Sequence, residues 1–332
     1  MDLYYLPDIY FQPKYGKLYE THENADYKVY ELKCEYGHVY YGFLKRPIPL
    51  VDGKMFDTIT PHGYGGPIIL HCTPGAEEEL IMEFDKELSS FFHEERIICE
   101  YVRFHPLLMN HVPFAPLYKP VTTKKIVAID LTIDFFMNFQ PRRRSLVRKL
   151  EKEGITIDMD FDGKHLSLYL DAYKQTMKRN HALSYHNFDK DYYMALFNNL
   201  NENAFFLHAR YENKIISSAL FLHGDIFLHY HLGATFTEHT NKNAFSLVLY
   251  HACKWGKSNG KQYFILGGGR TPGDDDDLLL FKSRFAKNGL TSYYTGERVH
   301  CYESYEKLNK EAAKLPGWNP NYFPAYRSVL LE

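Results

Sequence analysis

The chain has 332 residues, long enough for two domains, and its 45% hydrophobic and 24% charged residues are those of an ordinary soluble globular protein. A formal net charge of −2 excludes a global drive towards nucleic acid or acidic membranes, so an anionic partner would need a local basic patch. Five scattered cysteines (Cys34, Cys72, Cys99, Cys253, Cys301), odd in number and without a C-x-x-C pair, read as reduced thiols filling cores in a cytosolic protein.

Met1-Asp2-Leu3-Tyr4-Tyr5 has no basic stretch before an apolar run, so no secretory signal is expected there. No stretch approaches the ~20 apolar residues of a membrane span, so any contact with a lipid-linked molecule would be peripheral. Residues 1–26 read as a helical or irregular lead-in. Tyr27–Cys34 and His38–Leu44 form a predicted hairpin around Glu35-Tyr36-Gly37, ended by Pro47. Asp57 to Pro67, D-T-I-T-P-H-G-Y-G-G-P, holds three glycines and two prolines and must be a tightly turned loop. Its Tyr64 either packs inward or faces a cleft. Ala76–Phe92 is a predicted helix with acidic residues at its start, which suits the helix dipole. Arg96–Phe104 and Lys124–Leu131 read as strands. Pro141–Glu153 is a helix closed by Gly154, with Leu146, Val147 and Leu150 as its buried stripe. Its Arg142, Arg143, Arg144 and Arg148 make the best basic patch for a nucleic acid or a diphosphate, or else a solvated face.

Gly154 is the expected domain boundary. Ile155–Asp158 reads as a strand, followed by helices His165–Asn180 and Asp189–Asn199. Ala204–Arg210, Ile215–Leu222 and Ile226–Leu232 form a predicted antiparallel meander with Asn, Asp and Gly at its turns. Phe245, Val248, Leu249 and Ala252 mark one buried helix face, with Asn243 as the expected N-cap and Asn259-Gly260 as the stop. Tyr263–Leu266 is a wholly apolar strand that runs into Gly267-Gly268-Gly269, and by the crossover rule it lies parallel to the last meander strand. Gly289–Tyr294 and Val299–Tyr302 read as two further strands, Tyr305–Lys314 as a helix, and Pro316–Pro324 as irregular.

The order β-β-β-α-β resembles the core of the GNAT acyltransferase fold. Gly267-Gly268-Gly269, the acidic loop Asp274–Asp277 with Leu278, then Phe281-Lys282 and Phe285 resemble the "GGG … D-x-L … FK-x-x-F" signature of FemABX-type transferases. So do the Tyr64 loop ("spYGYGGP"), Arg103-Phe104-His105-Pro106-Leu107 with Asn110 ("RFHPL…N"), the strand ending in Asp130-Leu131, and the arginine helix from Arg142. The resemblance covers most of the chain. It implies an α/β protein with mixed sheets, built of two GNAT-like subdomains over 1–140 and 155–315. A basic linker helix over 141–154 would join them, and a tail over 316–332 would return to the first. No heptad stretch is present, so the long coiled-coil arm of some members is not expected.

The same resemblance implies a cytoplasmic enzyme that moves an amino acid from aminoacyl-tRNA to a lipid- or nucleotide-linked peptidoglycan precursor, without a metal or further cofactor. Lys282, at the family's "FK" lysine, is expected near the donor, with Tyr230 and His231 as further catalytic candidates on the last meander strand. Only one of those two can face the cleft, since neighbours on a strand alternate. Tyr64, Arg103, His105, Asn110, Arg179, Tyr185 and Phe281 are the expected substrate-binding residues. An acetyl-CoA enzyme should place a glycine-rich pyrophosphate loop before the buried-face helix; Thr235 to Asn243 contains no glycine. A thioester-dependent acyltransferase and a non-catalytic glycan- or peptide-binding relative are the alternative readings. Histidine spacing shows no metal-ligand motif, and no covalent-nucleophile motif is present.

Overall fold

In the computed structural model, which describes residues 5–51, 54–180 and 188–330, the strands in chain order are β1 (Asp26–Cys34), β2 (Gly37–Pro47), β3 (Phe56–Ile59), β4 (Ile68–Cys72), β5 (Ile97–Arg103), β6 (Val121–Asp130), β7 (Thr156–Asp160), β8 (Ala204–Tyr211), β9 (Lys214–His223), β10 (Phe227–Thr235), β11 (Tyr263–Gly268) and β12 (Leu290–Val299). The longer helices are α1 (Glu77–Glu94), α2 (Pro141–Lys152), α3 (Leu166–Arg179), α4 (Lys190–Leu200), α5 (Phe245–Ser258), α6 (Asp277–Ser283) and α7 (Tyr302–Ala312). Contacts divide the chain into two compact units. The first is Met1–Leu6, Tyr10–Thr123 and Tyr293–Glu332; the second is Pro7–Ile9 and Lys124–Ser292.

In the first unit the strand order is β1-β2-β3-β5-β12, with β4 paired to β2. The β1–β2 hairpin turns at Glu35-Tyr36, and Gly37 already belongs to β2, opposite Cys34. β3 and β5 are parallel, with α1 in the connection between them. Glu77, Glu78 and Glu79 sit in the first turn of α1, where the dipole favours them. Its Leu80, Ile81, Phe84, Leu88 and Phe92 are buried against Val39, Tyr41, Phe43 and Val102. At roughly 2 kcal/mol for each large apolar side chain, that face rather than intrinsic propensity holds the helix. The tail is tied down electrostatically. Buried Asp57 accepts from Arg46 Nε (2.8 Å) on one oxygen and from Tyr326 Oη (2.8 Å) and Arg327 Nε (2.5 Å) on the other. Burial opposes that charge, yet Arg46 and Arg327 hold the carboxyl below its usual range.

Residues 289–302 depart from expectation. Instead of two strands, β12 runs unbroken through Gly296, and Thr295–Val299 pair with Arg103–Cys99 of β5. A Cβ at Gly296 would lie 2.8 Å from Tyr118 Cβ and 2.9 Å from Phe104 Cε2. The glycine marks close packing and not a chain break.

The second unit has the order β6-β11-β10-β9-β8-β7. β7 to β10 are an antiparallel run, and β10 and β11 are parallel across α5. α5 packs against β8 and β9, while α3 and α4 lie against β10 and β8. With both faces covered, β9 is buried over nearly its whole length. Asn243 does not cap α5: it sits at φ 56°, its side chain donates to Asn241 O, and Ala244 holds the N-cap position without a side-chain bond. α2 packs against α5 within this unit, with Val147 and Leu150 in the core beside Leu249 and Phe135. The contact division thus falls at residues 123/124 and includes the basic helix, whereas the sequence reading drew its boundary at Gly154. The apolar stripe announces that α2 covers a core; it does not say which one. Among the described residues, no helix is long and apolar enough to cross a membrane.

Candidate active site

β10 and β11 pair only from Phe227–His229 to Tyr263–Ile265, although β10 continues to Thr235 and β11 to Gly268. Each strand carries an irregularity where the pairing stops. The β9–β10 register shifts between Tyr230 and Leu232, and the β11–β6 register shifts between Ile265 and Gly267. Gly267 has φ 74°, a left-handed value that a side chain would strain. Two bulges at the same level let the parallel strands part.

α6 brings Lys282 to this place. Its start is built by Asp276, the N-cap, whose Oδ1 accepts from Leu278 N (2.9 Å) and Leu279 N (3.0 Å). The other oxygen accepts from Arg270 N, Thr271 N and the Thr271 hydroxyl. Burial works against the charge, but these donors hold the carboxyl down to about 2. Asp274 instead pairs with Lys125 at 2.6 Å. α6 then turns Leu279 and Lys282 inward.

The Lys282 side chain is 6% exposed. Its Nζ donates to Gly268 O, at the end of β11, at 2.7 Å, and lies 5.4 Å from the centre of the Tyr230 ring. It makes no ion pair with a described carboxylate. Burial, then the nearby Lys124 cation, push this amine down to about 7, against the pull of Asp276. A lysine poised near neutrality can donate a proton or hold one. Tyr230 packs edge-to-face on Phe245, and burial raises its hydroxyl above the ordinary phenol value. That hydroxyl makes no hydrogen bond to another described residue. Gly233 makes room for it: a Cβ there would come within 2.5 Å of Tyr230 Oη and 2.6 Å of Phe245 Cζ.

Phe281 on α6 and Phe285 just after its end flank Lys282 in the chain, and Arg143 lies over both rings at 4.9 and 4.8 Å. Arg143 therefore leaves the expected basic patch. It is 6% exposed, donates through Nη1 to Ser246 Oγ on the first turn of α5, and its Nε is buried without a partner. Burial, then Arg284, push the guanidinium down to about 10. The register with Val147 and Leu150, four and seven residues on, was the signal for this burial. Arg142 and Arg148 remain exposed, and Arg144 donates to Met137 O and Phe139 O.

His231, next to Tyr230 on β10, is buried. Its Nε2 is 2.9 Å from Tyr192 Oη, and burial, with His229 adding to it, takes the ring down to about 3. Such an imidazole stays neutral and is held in a structural bond. Arg179 ties α3 to the end of β10 through Thr237 Oγ1, Thr176 Oγ1 and Thr235 O. Tyr185 lies outside the described residues.

Tyr64, Arg103, His105 and Asn110 come together in the first unit, around the glycine loop. Tyr64 packs inward, edge-to-face with Tyr10, His105 and Tyr293 at 5.5, 5.5 and 5.7 Å. Arg103 donates to Thr60 O (3.0 Å) and Pro61 O (3.4 Å). Buried Asn110 donates to Gly65 O and Pro67 O and accepts from His105 N, while His105 Nδ1 accepts from Leu107 N and Leu108 N. Asn110 thus satisfies two carbonyls of the glycine-rich loop, and His105 satisfies two amides of the turn that follows it.

No protein-family profile matches the chain, and no curated protein sequence does. Among solved structures it is similar to FemX, with a TM-score of 0.70, 13% identity, and 91% of this chain and 95% of that one covered. It is also similar to L-PGS from Bacillus licheniformis (TM-score 0.54, 13% identity, 86% and 92% covered). A third is the C-terminal domain of a putative lysylphosphatidylglycerol synthetase from Agrobacterium fabrum (TM-score 0.52, 12% identity, 86% and 87% covered). At these identities the likeness is one of fold: the chain shares the fold of FemX.

Proposed function

We propose that the protein is an aminoacyltransferase that moves an amino acid from an aminoacyl-tRNA ester to an amine of a peptidoglycan precursor peptide. The carrying observation is Lys282, a buried amine near neutrality with no ion pair to a described carboxylate, at the end of β11 where the parallel strands part. In the reaction the acceptor nitrogen attacks the ester carbonyl, the carbonyl oxygen takes the charge, and the carbon–oxygen bond to the ribose breaks. The attacking amine loses a proton and the leaving oxygen gains one. Lys282 supports the oxyanion as an ammonium and exchanges protons at neutral pH, and the Tyr230 hydroxyl, which bonds to no other described residue, is the second donor at hand. Phe281 and Arg143 hold the helix that presents the lysine. The glycine-free stretch before α5 favours an aminoacyl ester over coenzyme A as donor. The fold shared with FemX supports this reading, and the name of the Agrobacterium neighbour makes a phosphatidylglycerol headgroup the acceptor to run beside the peptide.

The test is transfer from charged tRNA to muropeptide precursors, with acyl-CoA as a parallel donor. Lys282→Ala should lower the transfer rate by roughly 10²-fold or more, the usual contribution of a positioned proton-transfer group. Unchanged transfer in that variant would remove Lys282 from the mechanism.

A further inference from the structure

The segment that follows β6 carries two aliphatic side chains in water: Ile133 is 47% and Met137 54% exposed. Cations from three other elements close on the same stretch. Lys257 Nζ donates to Ile133 O at 2.6 Å, Lys287 Nζ to Met137 O at 3.3 Å, and Arg144 to Met137 O at 3.1 Å. The Arg148 guanidinium lies 5.3 Å from the Phe136 ring centre. The segment's own acids are turned onto its backbone, Asp130 accepting from Thr132 and Asp134 from Met137 N. Two exposed aliphatic side chains thus stand on a short segment that four cations contact, on a chain whose net charge is −2.

We propose that this face docks on an anionic lipid bilayer, with Ile133 and Met137 entering the boundary between headgroups and acyl chains and the four cations resting among the headgroups. Charge chooses an anionic occupant. The exposed side chains choose lipid over RNA, because aliphatic groups gain from burial in an acyl boundary and offer no ring on which a base could stack. Long basic side chains suit that depth, since their stems stay apolar while their ends stay wet. The inference does not depend on the proposed transfer reaction, and its test reads binding alone, so either can fail without the other.

The experiment is sedimentation of the full chain with phosphatidylcholine vesicles, with and without phosphatidylglycerol. The expected result is binding only to the phosphatidylglycerol vesicles, weakened by salt. Arg148→Gln with Lys287→Gln should cut the partition coefficient roughly 25-fold, about fivefold per cation. Ile133→Ser with Met137→Ser should also lower it, while leaving its salt dependence in place. All four side chains are at the surface, and unchanged urea midpoints would show that the variants fold. A wild-type chain that stays in the supernatant, or variants that sediment like it, would overturn the proposal. So would cation variants that lose tRNA in a gel-shift assay while keeping vesicle binding, which would assign the face to RNA.

Discussion

Lys282→Met separates the charge of this residue from its shape. A free lysine titrates near 10.4, and in the folded protein this one is pushed down to about 7, so the native state binds fewer protons than the unfolded chain between those values. The sign follows: stability rises with pH across that window, and below about pH 7 the folded protein carries the full penalty of a buried ammonium. At about 1.4 kcal/mol per pH unit, keeping the amine charged in the fold costs roughly 4–5 kcal/mol. Loss of the bond from Nζ to Gly268 O offsets about 1 kcal/mol of any gain from removing the charge. The methionine variant should therefore be more stable than wild type at pH 6, by about 3 kcal/mol. At pH 9 that advantage should have fallen by roughly 3 kcal/mol, because the wild-type lysine is then neutral in the folded state and still charged in the unfolded one. Urea unfolding of both proteins at the two pH values measures this difference directly, and the lost hydrogen bond cancels from it. A stability gap that does not change with pH would refute the claim that Lys282 sits in the fold as a strained cation.

Two further outcomes follow from the same site. Gly233→Ala should destabilise the protein by about 1–3 kcal/mol, as overpacking does, and should also slow transfer, because its methyl group displaces the Tyr230 hydroxyl and Phe245 together; thermal melting and the transfer assay read the two effects. In the arginine run, Arg143→Ala should cost about 2–3 kcal/mol by uncovering Phe281, Phe285 and Ser246, whereas Arg142→Ala, one residue earlier and exposed, should stay within about 0.5 kcal/mol of wild type. Urea midpoints that fall equally in the two variants would contradict the burial described for Arg143.

Much of the fold was legible in local sequence. The meander from Ala204, the helix from Phe245 and the apolar strand from Tyr263 stand where their periodicities put them, because period and turn residues are local properties. The α/β class and the FemABX-like fold were legible too, through motifs spread along the chain. Errors came where a residue's meaning depended on a distant neighbour. Residues 289–302 read as two strands because Tyr118 and Phe104, which pack on Gly296 within the one observed strand, lie far away in sequence. Asn243 read as a cap because its left-handed backbone is not written in its side chain. Arg143 read as surface because charge suggests solvent, yet Phe281 of α6 and Phe285 just beyond it cover it.

The sequence by itself determined which segments become strands and helices, and it singled out the lysine after Phe281 for chemistry. Only the tertiary structure decided that this lysine is buried at the point where β10 and β11 part, on Gly268 O and beside Tyr230. Hydrophobic period is a property of neighbours along the chain, but the proton affinity of an amine is set by desolvation and by charges that the fold brings from elsewhere.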